Sequence, residues 1–235
     1  TAERFAEPRL TDDDLVARLR NGDAGALELL MRRHNQRLYR LARSVLRNPS
    51  DAEEAVQDGY VQAYERLGDY RGPNGFAAWL GRIVLNKSYD RVRDRGKVVS
   101  LDSVLRRPLS NSEGEDPVPM VSDQFASRLP DPERLAASDE LRRLIEAAID
   151  DLPDEYRTVF VLRAVEGFSV EETGNYLDIP LATVRTRYHR ARRRMREFLG
   201  GSLEKVLPAA FSFAGERCDR IVGNVIGRIR LRSGP

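Results

Sequence analysis

The densest cluster of side chains with binding chemistry lies between Thr183 and Arg196, where seven arginines occur with no acidic residue among them. Guanidinium groups bind phosphates and guanine edges through paired hydrogen bonds, whereas like charges four residues apart on a helix repel one another. A polyphosphate partner would neutralise this charge and release counterions, so the segment predicts a nucleic-acid interface. The alternatives are a solvated helix face and an arginine content set by genome composition. The arginines are Arg185, Arg187, Arg190, Arg192, Arg193, Arg194 and Arg196.

The residues around this cluster have the pattern of a helix-turn-helix, which would position it. Ser169 and Glu172 are spaced as a capping box at the start of a first helix. Residues 178–180 end in proline, which pushes the preceding residue out of the helical region and predicts a tight turn. A second helix is predicted from about Leu181 to Leu199. Such a unit presents its second helix to the major groove of DNA.

Within the predicted second helix, the first residues would reach base edges and later residues would follow the phosphate backbone. Base contacts specify the sequence that is read, whereas phosphate contacts fix the position of the protein. The predicted base or near-base contacts are Arg185, Thr186, His189 and Arg190, with Thr183 in the same interface, and the predicted phosphate contacts are Arg187, Arg193 and Arg194.

The N-terminal half of the chain pairs an acidic helix with a basic one. A predicted helix over residues 51–67 carries acids and amides opposite its apolar face, namely Glu53, Glu54, Gln57, Asp58, Gln62 and Glu65. A later helix, over residues 76–97, is mostly basic through Arg82, Lys87, Arg91, Arg93, Arg95 and Lys97. Two ordinary solvated faces are one interpretation, and two distinct binding surfaces are the other.

The composition excludes several classes of protein. The chain has 235 residues, one cysteine and two histidines, so neither a disulfide framework nor a Cys/His zinc site can be assembled. No run reaches the roughly 18 apolar residues that a membrane span requires, and the N-terminus lacks the pattern of a secretory signal. No phosphate-binding glycine loop, nucleophile elbow or metal-ligand spacing is present. We therefore expect a cytoplasmic protein that is not an enzyme, with no catalytic residue, metal, cofactor or membrane insertion.

Helical spacing dominates the chain and predicts an all-α fold in two small domains. The domains are expected at residues 1–98 and 134–199. Residues 99–133 hold five prolines without apolar periodicity, which is typical of a flexible, acidic linker. Residues 200–235 are expected to form a helical C-terminal extension with an amphipathic stripe. The stripe consists of Cys218, Ile221, Val222, Val225, Ile226 and Ile229.

Five segments resemble the sigma-70 family of bacterial RNA polymerase sigma factors, in its short extracytoplasmic-function (ECF) form. Residues 51–64 (DAEEAVQDGYVQAY), 70–72 (YRG) and 76–86 (FAAWLGRIVLN) are similar to conserved region 2 of that family. Residues 152–157 (LPDEYR) and 180–187 (PLATVRTR) are similar to region 4, which contains a helix-turn-helix. The two regions occur in the order of the family, with a linker between them.

The resemblance implies how region 2 would bind its partners. Its acidic helix would dock on the clamp helices of the RNA polymerase β′ subunit through Glu54, Gln57, Asp58 and Val61. The loop at 69–75 and the following helix would recognise and melt the −10 promoter element, with Asn86 helping to form the pocket for a flipped base. The residues implied for this contact are Tyr70, Arg71, Asn74, Arg82, Asn86, Lys87 and Arg91.

Region 4 would read the −35 element and contact the β flap of the polymerase. The resemblance thus implies a transcription initiation factor whose partners are core RNA polymerase, promoter DNA and an anti-sigma factor. The rival interpretation is a conventional helix-turn-helix regulator with a sensing or dimerising first domain, which predicts tight duplex binding without polymerase. The C-terminal extension departs from the family. It either packs its apolar stripe onto one of the two domains or regulates access to polymerase or to an anti-sigma factor.

Overall fold

The structure is a computed structural model that describes residues 10–72, 75–94, 132–199, 211, 213 and 215–233. In these ranges every regular element is helical and none is a β-strand, which confirms the all-α prediction. None of the described helices combines the length and apolarity needed to cross a membrane. The elements are α1 (Asp12–Arg20), α2 (Ala24–Arg43), α3 (Pro49–Glu65), a 3₁₀ turn (Leu67–Asp69), α4 (Phe76–Asp94), α5 (Pro132–Asp151), α6 (Asp154–Phe160) with a π-helical turn (Val161–Val165), α7 (Val170–Leu177), α8 (Leu181–Leu199) and α9 (Gly215–Ser233).

Side-chain caps explain where two of these helices begin. At α1 the Thr11 hydroxyl accepts a hydrogen bond from the Asp14 amide (3.2 Å), and the Asp14 carboxylate accepts one from the Thr11 amide (2.8 Å). Ser169 and Glu172 form the same reciprocal box at α7, as the sequence predicts. Each box satisfies two backbone donors that the first turn of a helix would otherwise leave without partners.

The C-terminal end of the predicted linker between the two domains is helical, contrary to the prediction. Helix α5 begins at Pro132, so the last two residues assigned to the linker are helical. Proline suits the first turn of a helix, because its missing N–H has no helical partner there and its φ is already helical. The rest of the predicted linker, residues 99–131, lies outside the described residues.

Helices α1–α4 enclose the first part of the core. Helix α3 packs against both α2 and α4, and a Cβ added to Gly59 would lie 2.5 Å from Cγ2 of Val84 on α4. Glycine is therefore needed where these two helices cross. His34 on α2 is buried, and its Nε2 lies 2.9 Å from Oδ2 of Asp12. This pair ties α1 to α2.

Helices α5–α8 form the second part of the core, around the helix-turn-helix. Helix α8 packs on α5, α6 and α7. Asp178 makes the turn between α7 and α8 with φ +58° and ψ +47°, in the left-handed region that commonly ends a helix. This confirms the predicted tight turn. A Cβ added to Gly174 would lie 2.6 Å from Cδ2 of Leu181, so the two helices approach closely.

A buried arginine joins the two parts of the core. The side chain of Arg157 on α6 has no exposed surface. Its guanidinium donates to the carbonyl oxygens of Ile149 (3.1 Å), Asp150 (3.1 Å), Leu152 and, beyond the end of α2, Ser44 (3.3 Å). The last carbonyls of a helix lack partners within the helix. One side chain therefore satisfies carbonyls that belong to both domains.

Ion pairs extend this contact between α2 and the second domain. Nη2 of Arg43 lies 3.0 Å from Oδ2 of Asp150, and Nη1 of Arg40 lies 2.9 Å from Oε1 of Glu166. Because these side chains are largely buried, salt screens their attraction less than that of surface pairs. In the described arrangement, α2 therefore belongs to the cores of both domains.

We expect Arg157→Ala to lower the free energy of unfolding by about 3 kcal/mol, because it leaves several buried carbonyl groups without a donor. Urea denaturation followed by circular dichroism measures this change. Arg193→Ala, on the exposed side of α8, is the control and should change the free energy of unfolding by less than about 0.5 kcal/mol. Equal losses in the two variants would contradict the role given to Arg157.

The contact between α1 and α2 predicts a pH dependence of stability. The hydrogen bond with His34 holds the pKa of Asp12 below its usual range, although partial burial opposes the shift. A carboxyl group with a lowered folded-state pKa stabilises the fold above its unfolded pKa, and this contribution is lost as the pH falls through the folded pKa. Below about pH 4, the free energy of unfolding should therefore fall more steeply in the wild-type chain than in Asp12→Asn. Urea denaturation across a pH series checks this, and parallel curves for the two chains would refute it.

Candidate nucleic-acid interface

Helix α8 presents a basic surface directly after the turn of the helix-turn-helix. Most of the residues predicted to contact DNA are exposed or half-exposed there, namely Thr183, Arg185, Thr186, His189, Arg190 and Arg193. The hydroxyl of Thr186 donates to the carbonyl of Ala182 (3.0 Å), and Nη1 of Arg190 lies 3.4 Å from the hydroxyl of Tyr156. One accessible face thus combines guanidinium, imidazole and hydroxyl groups, which are suited to phosphates and base edges.

Arg187 does not belong to this face, and the structure contradicts its predicted phosphate contact. Its side chain is 0% exposed. It lies three residues after Val184 and four before Ala191, both of which are also buried, so the helical period turns position 187 inward. Burial lowers the pKa of the Arg187 guanidinium, because it desolvates the charged form.

The residues predicted to contact the −10 element do not form one continuous open surface. Arg71 and Asn86 are exposed, and Lys87 is half-buried. Asn74 lies outside the described residues. Arg82 is exposed as well, but its guanidinium is bound to backbone carbonyl oxygens of α7, which leaves Arg71 at the end of the loop and Asn86 on α4 as exposed members of this set for which no such contact is described.

Tyr70 is a packed residue, which contradicts the expectation that it faces a DNA strand. It is 6% exposed, and its hydroxyl donates to Oδ1 of Asp13 (2.6 Å). The centroid of its ring lies 5.5 Å from that of Phe76 and 5.6 Å from that of Trp79. Burial raises the pKa of the hydroxyl, and the hydrogen bond to Asp13 adds to the shift. In this arrangement Tyr70 anchors the loop that precedes α4.

The acidic and basic helices of the first domain neutralise each other where they meet. Arg91 on α4 lies 2.7 Å from Oε2 of Glu54 and 2.6 Å from Oδ2 of Asp58, both on α3. Asp58 also binds Arg228 of α9, whose Nη2 lies 2.7 Å from Oδ1. Partial burial raises the pKa of Asp58, but its two arginines more than offset this and hold the pKa below its usual range. Arg91, predicted to follow a DNA strand, is thus engaged within the protein.

The residues predicted to bind polymerase lie on α3, along which the C-terminal helix α9 packs. Glu54 is exposed and Asp58 is half-buried. Gln57 and Val61 are only 7% and 3% exposed, contrary to the open surface that the prediction requires. The structure thus brings the four residues together on one helix but leaves only part of the set accessible.

Helix α4 contacts the helix-turn-helix through α7. The guanidinium of Arg82 donates to the carbonyl oxygens of Asn175 (2.8 Å) and Tyr176 (3.3 Å). A Cβ added to Gly81 would lie 1.6 Å from the hydroxyl oxygen of Tyr176, so only glycine permits this approach. Arg82, predicted to track the promoter strand, is therefore bound to the last turn of α7 in this arrangement.

Comparison with known proteins places both halves of the chain in one family. Residues 30–98 match the family model described as Sigma-70 region 2, and residues 142–195 match that of Sigma-70, region 4. The RNA polymerase sigma-H factor of Pseudomonas aeruginosa is 31% identical over 181 residues, which cover 77% of this chain and 90% of the relative. The chain belongs to the sigma-70 family of RNA polymerase sigma factors.

Further relatives identify this sigma factor as one of the ECF type. The ECF RNA polymerase sigma-E factor of Escherichia coli (strain K12) is 32% identical over 185 residues, which cover 78% of this chain and 92% of the relative. Among solved structures, CnrH in complex with the cytosolic domain of CnrY is similar with a TM-score of 0.54 and 28% identity, covering 80% of this chain and 96% of that one. The match to region 4 spans residues 142–195 and therefore includes α7 and most of α8 of this sigma factor.

The sequence analysis missed two contacts in this sigma factor. Glu53 has the pattern of a solvated acid, yet Nε and Nη2 of Arg220 lie 2.5 Å and 2.7 Å from its carboxylate oxygens. No local signal marks this pair, because the two residues are 167 positions apart. Gly81 does leave a signal, since glycine inside a helix costs roughly 1 kcal/mol relative to alanine. A glycine is expected inside a helix, despite this cost, where another side chain occupies the space that a Cβ would fill.

We expect Gly81→Ala to separate α4 from α7, because the added methyl group would overlap the Tyr176 hydroxyl. Loss of this contact should increase hydrogen exchange of the α7 backbone amides by about tenfold, as expected when a local packing contact is removed. Hydrogen exchange with mass spectrometry measures the change. Gly68→Ala is the control, since nothing lies within 4 Å of a Cβ at that position. Unchanged protection of α7 in Gly81→Ala would argue against the contact.

Proposed function

We propose that this ECF sigma factor directs core RNA polymerase to promoters by reading a −35 element with α8, and assists strand separation at the −10 element with region 2. The observation that carries the proposal is the accessible basic face of α8. That face follows a completed capping box and a left-handed turn at Asp178, in a chain that also contains region 2. The protein would act by binding energy alone, which favours melted promoter DNA.

Reading of the −35 element is assigned to the first turns of α8. Arg185 is exposed in the second turn, where a recognition helix reaches base edges. An arginine there can donate two hydrogen bonds to O6 and N7 of guanine. Thr186, His189 and Arg190 extend this contact, while Arg193 binds phosphate and fixes the register of the helix on the duplex.

Assistance with strand separation is assigned to α4 and the loop before it. Asn86 is exposed, and its side-chain amide offers both donors and an acceptor to the edge of an unpaired base. Flipping a base out of the stack costs a few kcal/mol, which a fitted pocket must offset. Arg71 and Lys87 would bind the phosphates of the displaced strand.

Binding to the polymerase is assigned to both domains. Glu54, Gln57, Asp58 and Val61 on α3 would meet the clamp helices of the β′ subunit, and region 4 would meet the β flap. Family membership supports both assignments. The described arrangement must open for this to happen, because α9 packs along α3 and Arg82 is bound to α7. A partner that binds only the open form shifts the population toward it.

A second protein partner is part of the proposal. CnrH, a relative by structure, is seen in complex with the cytosolic domain of CnrY. By analogy, we propose that an anti-sigma factor binds this chain and withholds it from polymerase. The place of action would be the cytoplasm, where the polymerase works.

Run-off transcription with purified core polymerase tests the proposal. Arg185→Ala should reduce transcript yield about tenfold, because a lost base contact costs about 1–3 kcal/mol. Asn86→Ala should reduce strand opening, measured by permanganate footprinting, while the closed complex still forms. Arg47→Ala, with an exposed side chain near Asp154, is the control and should leave yield unchanged. Circular dichroism verifies folding. Tight, specific duplex binding by the chain without polymerase, and no polymerase-dependent transcription, would support the conventional regulator instead.

A further inference from the structure

Helix α9 and helix α3 are joined by a series of ion pairs along their length. Arg220 binds Glu53, Arg228 binds Asp58 (2.7 Å), and Arg232 binds Glu65. The pairs progress in the same direction along both helices, so α9 runs parallel to α3. Positions 53 to 65 and positions 220 to 232 each span about 18 Å at 1.5 Å per residue. Because the two outer pairs are equally far apart on both helices, one helix can follow the other over more than three turns.

The side of α3 under α9 includes residues assigned to polymerase. Glu53, Gln57, Val61 and Glu65 are each four residues apart and form one row along α3. Arginines of α9 bind both ends of this row, and the two middle residues, Gln57 and Val61, are buried. A helix that is paired at both ends of the row passes over its middle. Helix α9 therefore covers the Gln57 and Val61 part of the proposed polymerase face.

An apolar seam supports the ion pairs. Ile221, Val222, Val225 and Ile229 of α9 are buried, at the spacing that the amphipathic stripe predicts. The helix also reaches α2, where Arg32 binds Asp219 (2.8 Å) and the side-chain amide of Asn35 donates to Sγ of Cys218 (3.2 Å). The seam is thus a packed interface on region 2, which agrees with the first of the two interpretations of the extension.

This interface also has properties that would allow a partner to displace α9 from α3. Side chains of Arg220, Arg228 and Arg232 are 53%, 37% and 57% exposed, and exposed ion pairs contribute little each. Because α9 belongs to the same chain, it nevertheless rebinds at a high effective concentration. A partner must compete with this intramolecular contact, so the apparent affinity falls with the fraction of chains that are open.

We propose that α9 is an intramolecular competitor of RNA polymerase for α3, which lowers the affinity of this sigma factor for core enzyme until α9 is displaced. The proposal rests on the proposed function, since it assigns the α3 face to polymerase. It gives the C-terminal extension a regulatory role that follows from the packing itself. The contact of α9 with region 2 would then both pack the extension and control the access of polymerase.

A reversible cross-link tests the proposal in the full-length chain. Asn35→Cys places a second thiol next to Cys218, and oxidation then ties α9 to α2 through a disulfide. The dissociation constant for core polymerase, measured by fluorescence anisotropy, should rise at least tenfold on oxidation and recover with reductant. The wild-type chain with and without oxidant is the control, because Cys218 is its only cysteine. An oxidised variant that binds polymerase as tightly as its reduced form would overturn the proposal.

A matched pair of charge reversals provides the opposite test. Arg228→Glu places like charges beside Asp58 and should release α9, which lowers the dissociation constant for core polymerase about fivefold. Arg230→Glu makes the same change two residues away on the exposed side of α9 and should leave the constant unchanged. Equal affinities for the two variants would count against α9 as a competitor. If wild type and every variant fail to bind polymerase, the proposed function itself is wrong. That result differs from binding with equal affinities, which would count only against α9 as a competitor.

Discussion

The acidic side of α3 is the constraint on which the rest of the arrangement depends. The carboxylates of Glu53 and Asp58 lie where other helices cover α3, and a buried charge without a partner costs several kcal/mol. Arg91 supplies positive charge from α4, and Arg228 supplies it from α9, so that Asp58 is bound from two sides. Any surface that replaces α9 must therefore provide both positive charge and apolar contact. That requirement describes the chemistry of a partner of α3, whatever its identity.

Contacts between the two domains are of two kinds, and the free energy needed to break them differs. Around α2 the contact is buried, with Arg157 bound to the Ser44 carbonyl and the Ser44 hydroxyl 3.2 Å from that of Thr158. Around α4 it depends on exposed Arg82 and on the absence of a side chain at Gly81. Removing one partner of a buried polar contact costs far more than breaking a surface one. The α4–α7 contact is thus the weaker of the two.

Local features of the sequence were sufficient to predict the helix-turn-helix. The capping box at Ser169 and the turn before Pro180 depend on neighbouring residues only, and the structure confirms both. That reasoning failed for Arg187, and the family resemblance failed for Tyr70. Arginine and tyrosine are long amphipathic side chains that occur both in cores and at binding surfaces, so residue type alone does not distinguish the two environments. For Arg187, the burial of Val184 and Ala191 on the same side of the helix shows that the side chain belongs to the core.

The sequence by itself determined the helices, their order, the helix-turn-helix and the amphipathic nature of the C-terminal extension. These features follow from the backbone period and from contacts within a few residues. Only the tertiary structure decided that α9 covers α3, that Arg82 binds α7 and that Arg91 is engaged by Glu54 and Asp58. In each of these cases the partner is distant in the sequence, and several arginines have equivalent local patterns. Which arginine meets which acid is therefore set by how the helices pack, because only packing brings distant charges within a few ångströms.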